Sequence, residues 1–266
     1  MLNVAVLGAT GRMGRTLVPL VAEAADLRLS GALSVAGDPA IGQDAGVVAG
    51  TTPLAVAVTP DLDRALDGAG VAIDFTLPGP SLEHARRCLA RGVPLVIGTT
   101  GHDDAGRAEL ERVSASIPVV LAPNMSLGVN LLFRLAELAA RALDEDYDAE
   151  IVEAHHRYKV DAPSGTALGL GEAVARGRGT TLQQAAVHAR HGATGPRPRG
   201  AIGFAVVRGG GIVGDHRLVF AGPGERIELA HHAEDRSGFA RGALVAARWL
   251  AGRPPGLYSM QDVLGL

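Results

Sequence analysis

Short, uninterrupted apolar runs alternate with helix-length amphipathic segments through the first half of the chain. Residues 3–7, 71–75, 94–97 and 118–121 are apolar almost throughout and lack the alternation of a half-exposed strand. Between them, 12–25, 81–90 and 103–116 carry apolar residues at helical spacing, with Pro19 expected to bend the first of these helices. Continuous apolar strands separated by helices predict a parallel sheet covered on both faces, a doubly wound α/β arrangement of the Rossmann type.

The pattern changes after Asn124. Residues 127–143 read as a long helix, 148–154 as a strand and 167–175 as a second helix. Three further strand candidates, 201–208, 216–221 and 226–231, are joined by short glycine-rich connections, so an antiparallel arrangement is expected. A last helix, 237–250, is expected to return to the first domain. The division predicted is 1–126 with 236–266 as one domain and 127–235 as a second, mixed α/β domain.

Composition narrows the function classes. Charged residues make up 20% and the formal net charge is −3, so no global positive field recruits nucleic acid or an anionic membrane. No apolar stretch reaches the length of a membrane span, and residues 1–7 are too short for a signal-peptide core. The single cysteine, Cys88, cannot form an intrachain disulfide and fits a reducing cytoplasm; its place in an amphipathic helix predicts a buried structural thiol.

One lysine stands against 24 arginines, and it lies in the run from His155 to Thr166. Guanidinium stays protonated at any working pH, whereas an ammonium group can be tuned to release and regain a proton. Lys159 follows His155 and His156 by four and three positions, and the other side chain that titrates near neutrality is histidine. Downstream, Ser164 leads into a helix whose first amides, at Gly165 and Thr166, together with the Thr166 hydroxyl, form a carboxylate-sized anion site. A plain helix cap explains Ser164 alone; its closeness to the lysine and the histidine pair favours chemistry. His188, His191, His231 and His232 have no ligand spacing and are read as surface residues, so no metal site is expected.

The first strand runs into Gly8, Ala9, Thr10, Gly11, Arg12, Met13 and Gly14. Glycines at intervals of three let backbone amides approach a pyrophosphate, and the following helix presents its positive end. Two more strand ends, Gly98-Thr99-Thr100 and Ala122-Pro123-Asn124-Met125, face the same carboxyl edge, where ligands of open α/β sheets collect. An acid normally ends the second strand, here 28–33, and holds the adenosine ribose. That strand instead ends in Ser34-Val35, with neither carboxylate nor arginine, so NADH and NADPH are both expected to be accepted.

Taken together these segments resemble the 4-hydroxy-tetrahydrodipicolinate reductase (dihydrodipicolinate reductase) family over essentially the whole chain. The specific part runs from Glu153 through His155-His156 to Thr166, supported by Asp74-Phe75-Thr76, Gly98 to Gly101, Ala122 to Ser126, Gly200 to Phe204 and Asp215-His216. The resemblance implies reduction of a cyclic imine dicarboxylate by NADH or NADPH, with loss of water, in lysine and diaminopimelate biosynthesis. It implies that His155 donates and accepts a proton, that Lys159 donates one, and that His156, Gly165 and Thr166 hold the substrate. It also implies a dinucleotide-binding domain, and a substrate-binding and oligomerisation domain whose open four-stranded sheet builds a homotetramer. Three rivals remain. A short-chain dehydrogenase or epimerase shares the glycine spacing but needs tyrosine where His155 stands. Another Rossmann reductase of a small carboxylated imine would use the same groups. A non-catalytic dinucleotide sensor would have no reason to gather two histidines and the lysine beside an anion site.

Overall fold

The computed structural model describes residues 1–266, which divide into two compact units. The first comprises Met1–Leu127 and Arg236–Leu266, the second Gly128–Asp235. In chain order the first unit opens with β1 (Leu2–Leu7), α1 (Arg12–Glu23), β2 (Leu27–Leu33), α2 (Ala45–Val48), β3 (Val58–Thr59) and α3 (Leu62–Leu66). It continues with β4 (Val71–Asp74), α4 (Pro78–Arg91), β5 (Leu95–Ile97), α5 (Asp104–Ser114) and β6 (Pro118–Leu121). Then follow α6 (Leu127–Leu143), β7 (Asp148–His155), α7 (Gly165–Gly177), α8 (Leu182–Ala185), β8 (Ala186–Val187), β9 (Ile202–Arg208), β10 (Gly214–Gly222) and β11 (Glu225–Ala233). The chain ends in the first unit with α9 (Ser237–Leu250), β12 (Gly256–Tyr258) and α10 (Met260–Leu264).

The first unit is a seven-stranded parallel sheet in the order β12-β6-β5-β4-β1-β2-β3. β1 explains why its strands look continuously apolar. Val4 and Val6 face one core with Leu17, Val18 and Val21 of α1 and Leu244 of α9. Ala5 and Leu7 face the other core, with Cys88 of α4 and Leu110 of α5. Side chains alternate between faces, but helices cover both, so every position from Val4 to Leu7 is buried. Strand order reverses where β1 lies between β2 and β4, which opens a crevice at their carboxyl ends.

The turn after β1 brings α1 close to the sheet. Gly8 has φ +83°, a conformation that favours glycine. A Cβ at Gly14 would sit 2.2 Å from the Gly8 carbonyl oxygen, so only glycine lets the helix start this near the turn. The second unit is a five-stranded mixed sheet, β11-β10-β7-β9-β8, with α7 against it. Along β7 burial alternates strictly, and Ala149, Ile151, Glu153 and His155 share the buried face. Two apolar residues are thus followed, on one face of one strand, by a carboxylate and an imidazole.

Three expectations need correction. The second sheet has five strands rather than four, because the two-residue β8 extends it beside β9. The late strands are not wholly antiparallel: β10 pairs antiparallel with β11 and β7, but β9 runs parallel to β7 and lies on its far side. The β9–β10 connection therefore passes the end of β7, where the Gly209 amide donates to the His155 carbonyl at 2.9 Å. The first helix ends at Glu23, before Ala25. The edge strands β3 and β12, at two and three residues, are too short for periodicity to reveal.

Gly14→Ala should cost about 2 kcal/mol or more of stability, since the clash is with backbone and cannot be relieved by a rotamer change. Gly79→Ala, whose Cβ would meet nothing within 4 Å, should be neutral or slightly stabilising. Urea unfolding of the two variants checks the contrast; equal midpoints would refute the packing argument.

Candidate active site

In the first unit, α1 begins at Arg12 behind Gly11, an N-cap with no side chain to bond the first-turn amides. Helix α1 runs 12 residues with no acidic residue in its first turn, and its positive end faces the glycine-rich turn. A cavity of about 440 Å³ lies at this carboxyl edge, lined among others by Gly8, Thr10, Gly11, Ser34, Thr76 and His84. These are the features a dinucleotide needs: amides for the pyrophosphate, close backbone approach, and an adjoining crevice.

The other strand ends are more internally bonded than their sequences suggest. Thr99 is buried, and its hydroxyl donates to Asp74 Oδ1 at 3.1 Å while accepting from the Thr76 amide at 3.0 Å. Asp74 also accepts from the Thr76 hydroxyl at 2.6 Å, and its Oδ2 lies 2.8 Å from His84 Nδ1. The Thr99 side chain thus belongs to a buried Asp74 network, whereas Thr100 is exposed. Gly98 has no room for a side chain, because a Cβ would fall 2.1 Å from the Phe75 ring. Ala122 and Met125 are buried, Pro123 is exposed, and the Asn124 side-chain carbonyl accepts from the Ser126 amide at 2.9 Å. Arg12 is exposed and Met13 half-buried.

The end of β2 requires a correction. A carboxylate does stand there, supplied four residues beyond Ser34 by Asp38. Its Oδ2 accepts from Thr10 Oγ1 at 2.6 Å and from Ser34 Oγ at 2.7 Å, and its Oδ1 from the Ala40 amide at 2.8 Å. Those bonds, the one from Thr10 foremost, hold its carboxyl below the ordinary range. The acid was missed because it comes from the loop and not from the strand.

In the second unit His155 and Ser164 meet at Glu153, which is 1% exposed. Its Oε2 lies 2.6 Å from His155 Nδ1, and its Oε1 accepts from the Ser164 amide at 3.0 Å. Arg208 closes a bidentate pair, Nη1 to Oε2 at 2.7 Å and Nη2 to Oε1 at 2.8 Å. Burial would raise the Glu153 pKa, but the bonds from Arg208, His155 and Ser164 outweigh it and hold the group below its ordinary value. An ionised carboxylate can only accept, so His155 carries its proton on Nδ1 and turns Nε2 away from Glu153.

Around this pair, the His216 and His155 rings meet edge to face at 5.1 Å, and His216 Nε2 lies 3.0 Å from Ser164 Oγ. Burial above all, and then the nearby His155, push the His216 pKa down to about 4. Ser164 caps α7 by accepting from the Ala167 amide at 3.2 Å, and Gly165 opens that helix in exposed, unobstructed space. The Lys159 amide donates to the His156 carbonyl at 3.1 Å, and its Nζ donates to Asp161 Oδ1 at 2.8 Å. His156 has a buried Nδ1 with no partner.

The sequence singled out His155 but not the groups gathered around it: Glu153 on its Nδ1, Arg208 on Glu153, and the His216 ring. Period-2 burial along β7 was the available signal, since a carboxylate at a buried position demands partners. His188, His191 and His232 are exposed as expected. His231 is not a plain surface residue: it is half-buried, and burial lowers its pKa. No cluster of potential metal ligands occurs, and no helix is long and apolar enough to cross a membrane. Cys88 is fully buried, and burial with the nearby Asp74 pushes its thiol up to about 12.

Residues 2–125 match the family described as dihydrodipicolinate reductase, N-terminus, and residues 128–264 its C-terminus. A 4-hydroxy-tetrahydrodipicolinate reductase of Nitrosospira multiformis is 54% identical over 265 residues, covering 100% of this chain and 98% of its own. One from Thiobacillus denitrificans is 56% identical over 264 residues, covering 99% and 98%. Among solved structures, a dipicolinate-bound dihydrodipicolinate reductase from a Paenisporosarcina species matches with a TM-score of 0.79 at 25% identity, over 98% of each chain. An amine dehydrogenase from Mycobacterium smegmatis shares the fold alone, with a TM-score of 0.61 at 15% identity over 97% of this chain and 95% of its own.

The depressed His216 pKa sets an acid limit on stability. Below about pH 6.5 the unfolded chain takes up a proton that folded His216 refuses until about pH 4, so stability falls across that window. Between about pH 6.5 and 4.5 the parent should lose about 2–3 kcal/mol more than His216→Gln. Urea unfolding at both pH values measures this; equal losses would show that His216 is protonated inside the fold.

Proposed function

The chain belongs to the dihydrodipicolinate reductase family and is an oxidoreductase reducing 4-hydroxy-tetrahydrodipicolinate in lysine and diaminopimelate biosynthesis, and we propose that His155 and Lys159 handle its protons. The observation that carries this reading is the buried Glu153–His155 pair. Bound NADH or NADPH supplies the hydride. The residues Gly8, Ala9, Thr10, Gly11, Arg12 and Met13 hold the pyrophosphate side of that cofactor, and the strand ends Gly98 to Thr100 and Ala122 to Met125 its nicotinamide side. For Thr99, Ala122 and Met125 the contact is through backbone, since their side chains are buried.

Loss of water requires a proton on the departing hydroxyl, and arrival of hydride requires one at the centre left electron-rich. With Nδ1 tied to Glu153, His155 uses Nε2 to accept a proton and return it. Lys159 delivers a proton as an ammonium group and stabilises developing negative charge. Its Nζ donates to the half-exposed Asp161 until substrate replaces that partner. The substrate is a dicarboxylate. His156, through its partnerless Nδ1 or the opposite ring nitrogen, binds one carboxylate; Gly165 and Thr166, at the positive end of the 13-residue α7, bind the other.

The first unit is accordingly the dinucleotide-binding domain and the second the substrate-binding and oligomerisation domain. A homotetramer built on the second sheet is supported by its long edge strand β11, which is exposed along most of its length. Light scattering of the purified protein tests it. A cytoplasmic location suits a chain whose lone thiol is buried.

The decisive assay follows NADH and NADPH oxidation with enzymatically generated 4-hydroxy-tetrahydrodipicolinate. Lys159→Arg should be nearly as damaging as Lys159→Ala, each losing roughly a hundredfold or more in turnover with cofactor affinity little changed. Near-normal turnover of the arginine variant would remove Lys159 from proton transfer. Glu153→Gln should also lose roughly a hundredfold or more, because an amide can donate to Nδ1 and fix the wrong tautomer. His155→Ala should act mainly on kcat and His156→Ala mainly on KM; identical kinetics would refute the division of roles.

A further inference from the structure

At the carboxyl end of β2, three oxygen-bearing side chains form a closed triangle. Thr10 Oγ1 and Ser34 Oγ lie 2.6 Å apart, and each donates its single hydroxyl hydrogen to Asp38 Oδ2. A hydroxyl has one hydrogen and two lone pairs. With both hydrogens spent on the carboxylate, Thr10 and Ser34 present only lone pairs to the cavity that they line. The same cavity has Val35 and Leu77 on its walls, both about 70% exposed apolar side chains (72% and 70%), and no lysine or arginine among its lining residues.

We propose that Asp38, acting through Thr10 and Ser34, makes this end of the cofactor cavity an acceptor-only surface that selects NADH over NADPH. The proposal rests on the reading that the first unit binds a dinucleotide. The free ribose of NADH offers two hydroxyl donors, which such a surface matches. The 2′-phosphate of NADPH is itself only an acceptor near neutral pH and carries negative charge. It meets lone pairs and, one atom layer behind them, a carboxylate. The acid that many dinucleotide-binding folds present directly from the second strand acts here through two hydroxyls. The broad cofactor tolerance expected from Ser34-Val35 is thereby replaced by selectivity. One cation lies near: Arg15 Nε donates to the Thr10 carbonyl at 2.9 Å, and Arg15 is among the charges acting on Asp38. Arg15 is exposed and is not among the lining residues.

Calorimetric titration of the whole protein with ADP-ribose and 2′-phospho-ADP-ribose tests this without the nicotinamide half. The parent should bind ADP-ribose at least about thirtyfold more tightly. Asp38→Ala releases both hydroxyl hydrogens and removes the charge, so the ratio should fall to within about threefold. Asp38→Asn removes the charge but keeps an acceptor for the hydroxyls, and should fall between the two. Circular dichroism verifies that both variants fold. Equal binding of the two ligands by the parent overturns the proposal, as does an unchanged ratio in both variants. A parent preference for the phosphorylated ligand that disappears in Arg15→Ala overturns it in favour of Arg15. Failure of the parent to bind either ligand would sink the dinucleotide reading itself.

Discussion

Glu153 is a carboxylate withdrawn from water at the end of a strand, and such a group persists only if its surroundings satisfy it. Four donors do so: His155, both terminal nitrogens of Arg208, and the Ser164 amide. They come from β7 itself, from β9 and from the N-terminus of α7. One side chain therefore fixes the register at which a helix end, two parallel strands and an imidazole meet. Removing any partner would leave the carboxylate short of a bond, which is costly enough to hold the others in place. The orientation of the His155 ring and the position of the α7 N-terminus are two consequences of a single electrostatic constraint.

The first unit reaches the same end by a different device. At its strand ends the polar side chains are bonded to one another before any ligand arrives. Asp74 collects the Thr76 and Thr99 hydroxyls and His84, while Asp38 collects Thr10 and Ser34. Each aspartate orients hydroxyls that would otherwise rotate freely. Preorganised groups lose less entropy on binding, so a surface of small hydroxyls can still discriminate. The glycines contribute by absence: Gly14 lets α1 approach, and Gly98 makes room for Phe75.

Much of this was legible in the chain alone, and for identifiable reasons. β1, β4, β5 and β6 were visible because two-sided burial makes a strand apolar throughout, as in Val4-Ala5-Val6. The candidate site segment was visible because His155, His156, Lys159 and Ser164 to Thr166 fall close together in one stretch of chain, 155–166. Residues that act across the fold were not visible. Arg208 lies 55 positions from Glu153, and Ser164 52 from His216, so no local pattern could pair them. Asp38 escaped because it returns to Ser34 through a turn. The order of β9, β7 and β10 escaped because short connections suggest neighbours, whereas here one strand is skipped.

The arginine-rich composition gains a structural meaning from these contacts. Arg208 bonds both oxygens of Glu153 and the Asp161 and Val207 carbonyls. Arg197 similarly reaches Asp148, Glu150 and the carbonyls of Ala149 and Ala201. A planar fork with five donors can satisfy several fixed acceptors at once, while an ammonium group is a single point of charge. Where cations cross-link strands and loops, guanidinium is the better instrument. Lys159 differs in kind: its one side-chain bond is to a half-exposed carboxylate, on a loop, where little of the fold depends on it. A cation so lightly held is free to exchange its partner for a substrate. On the role proposed for Lys159, keeping the only lysine at that place separates the cation that moves a proton from those that hold the structure.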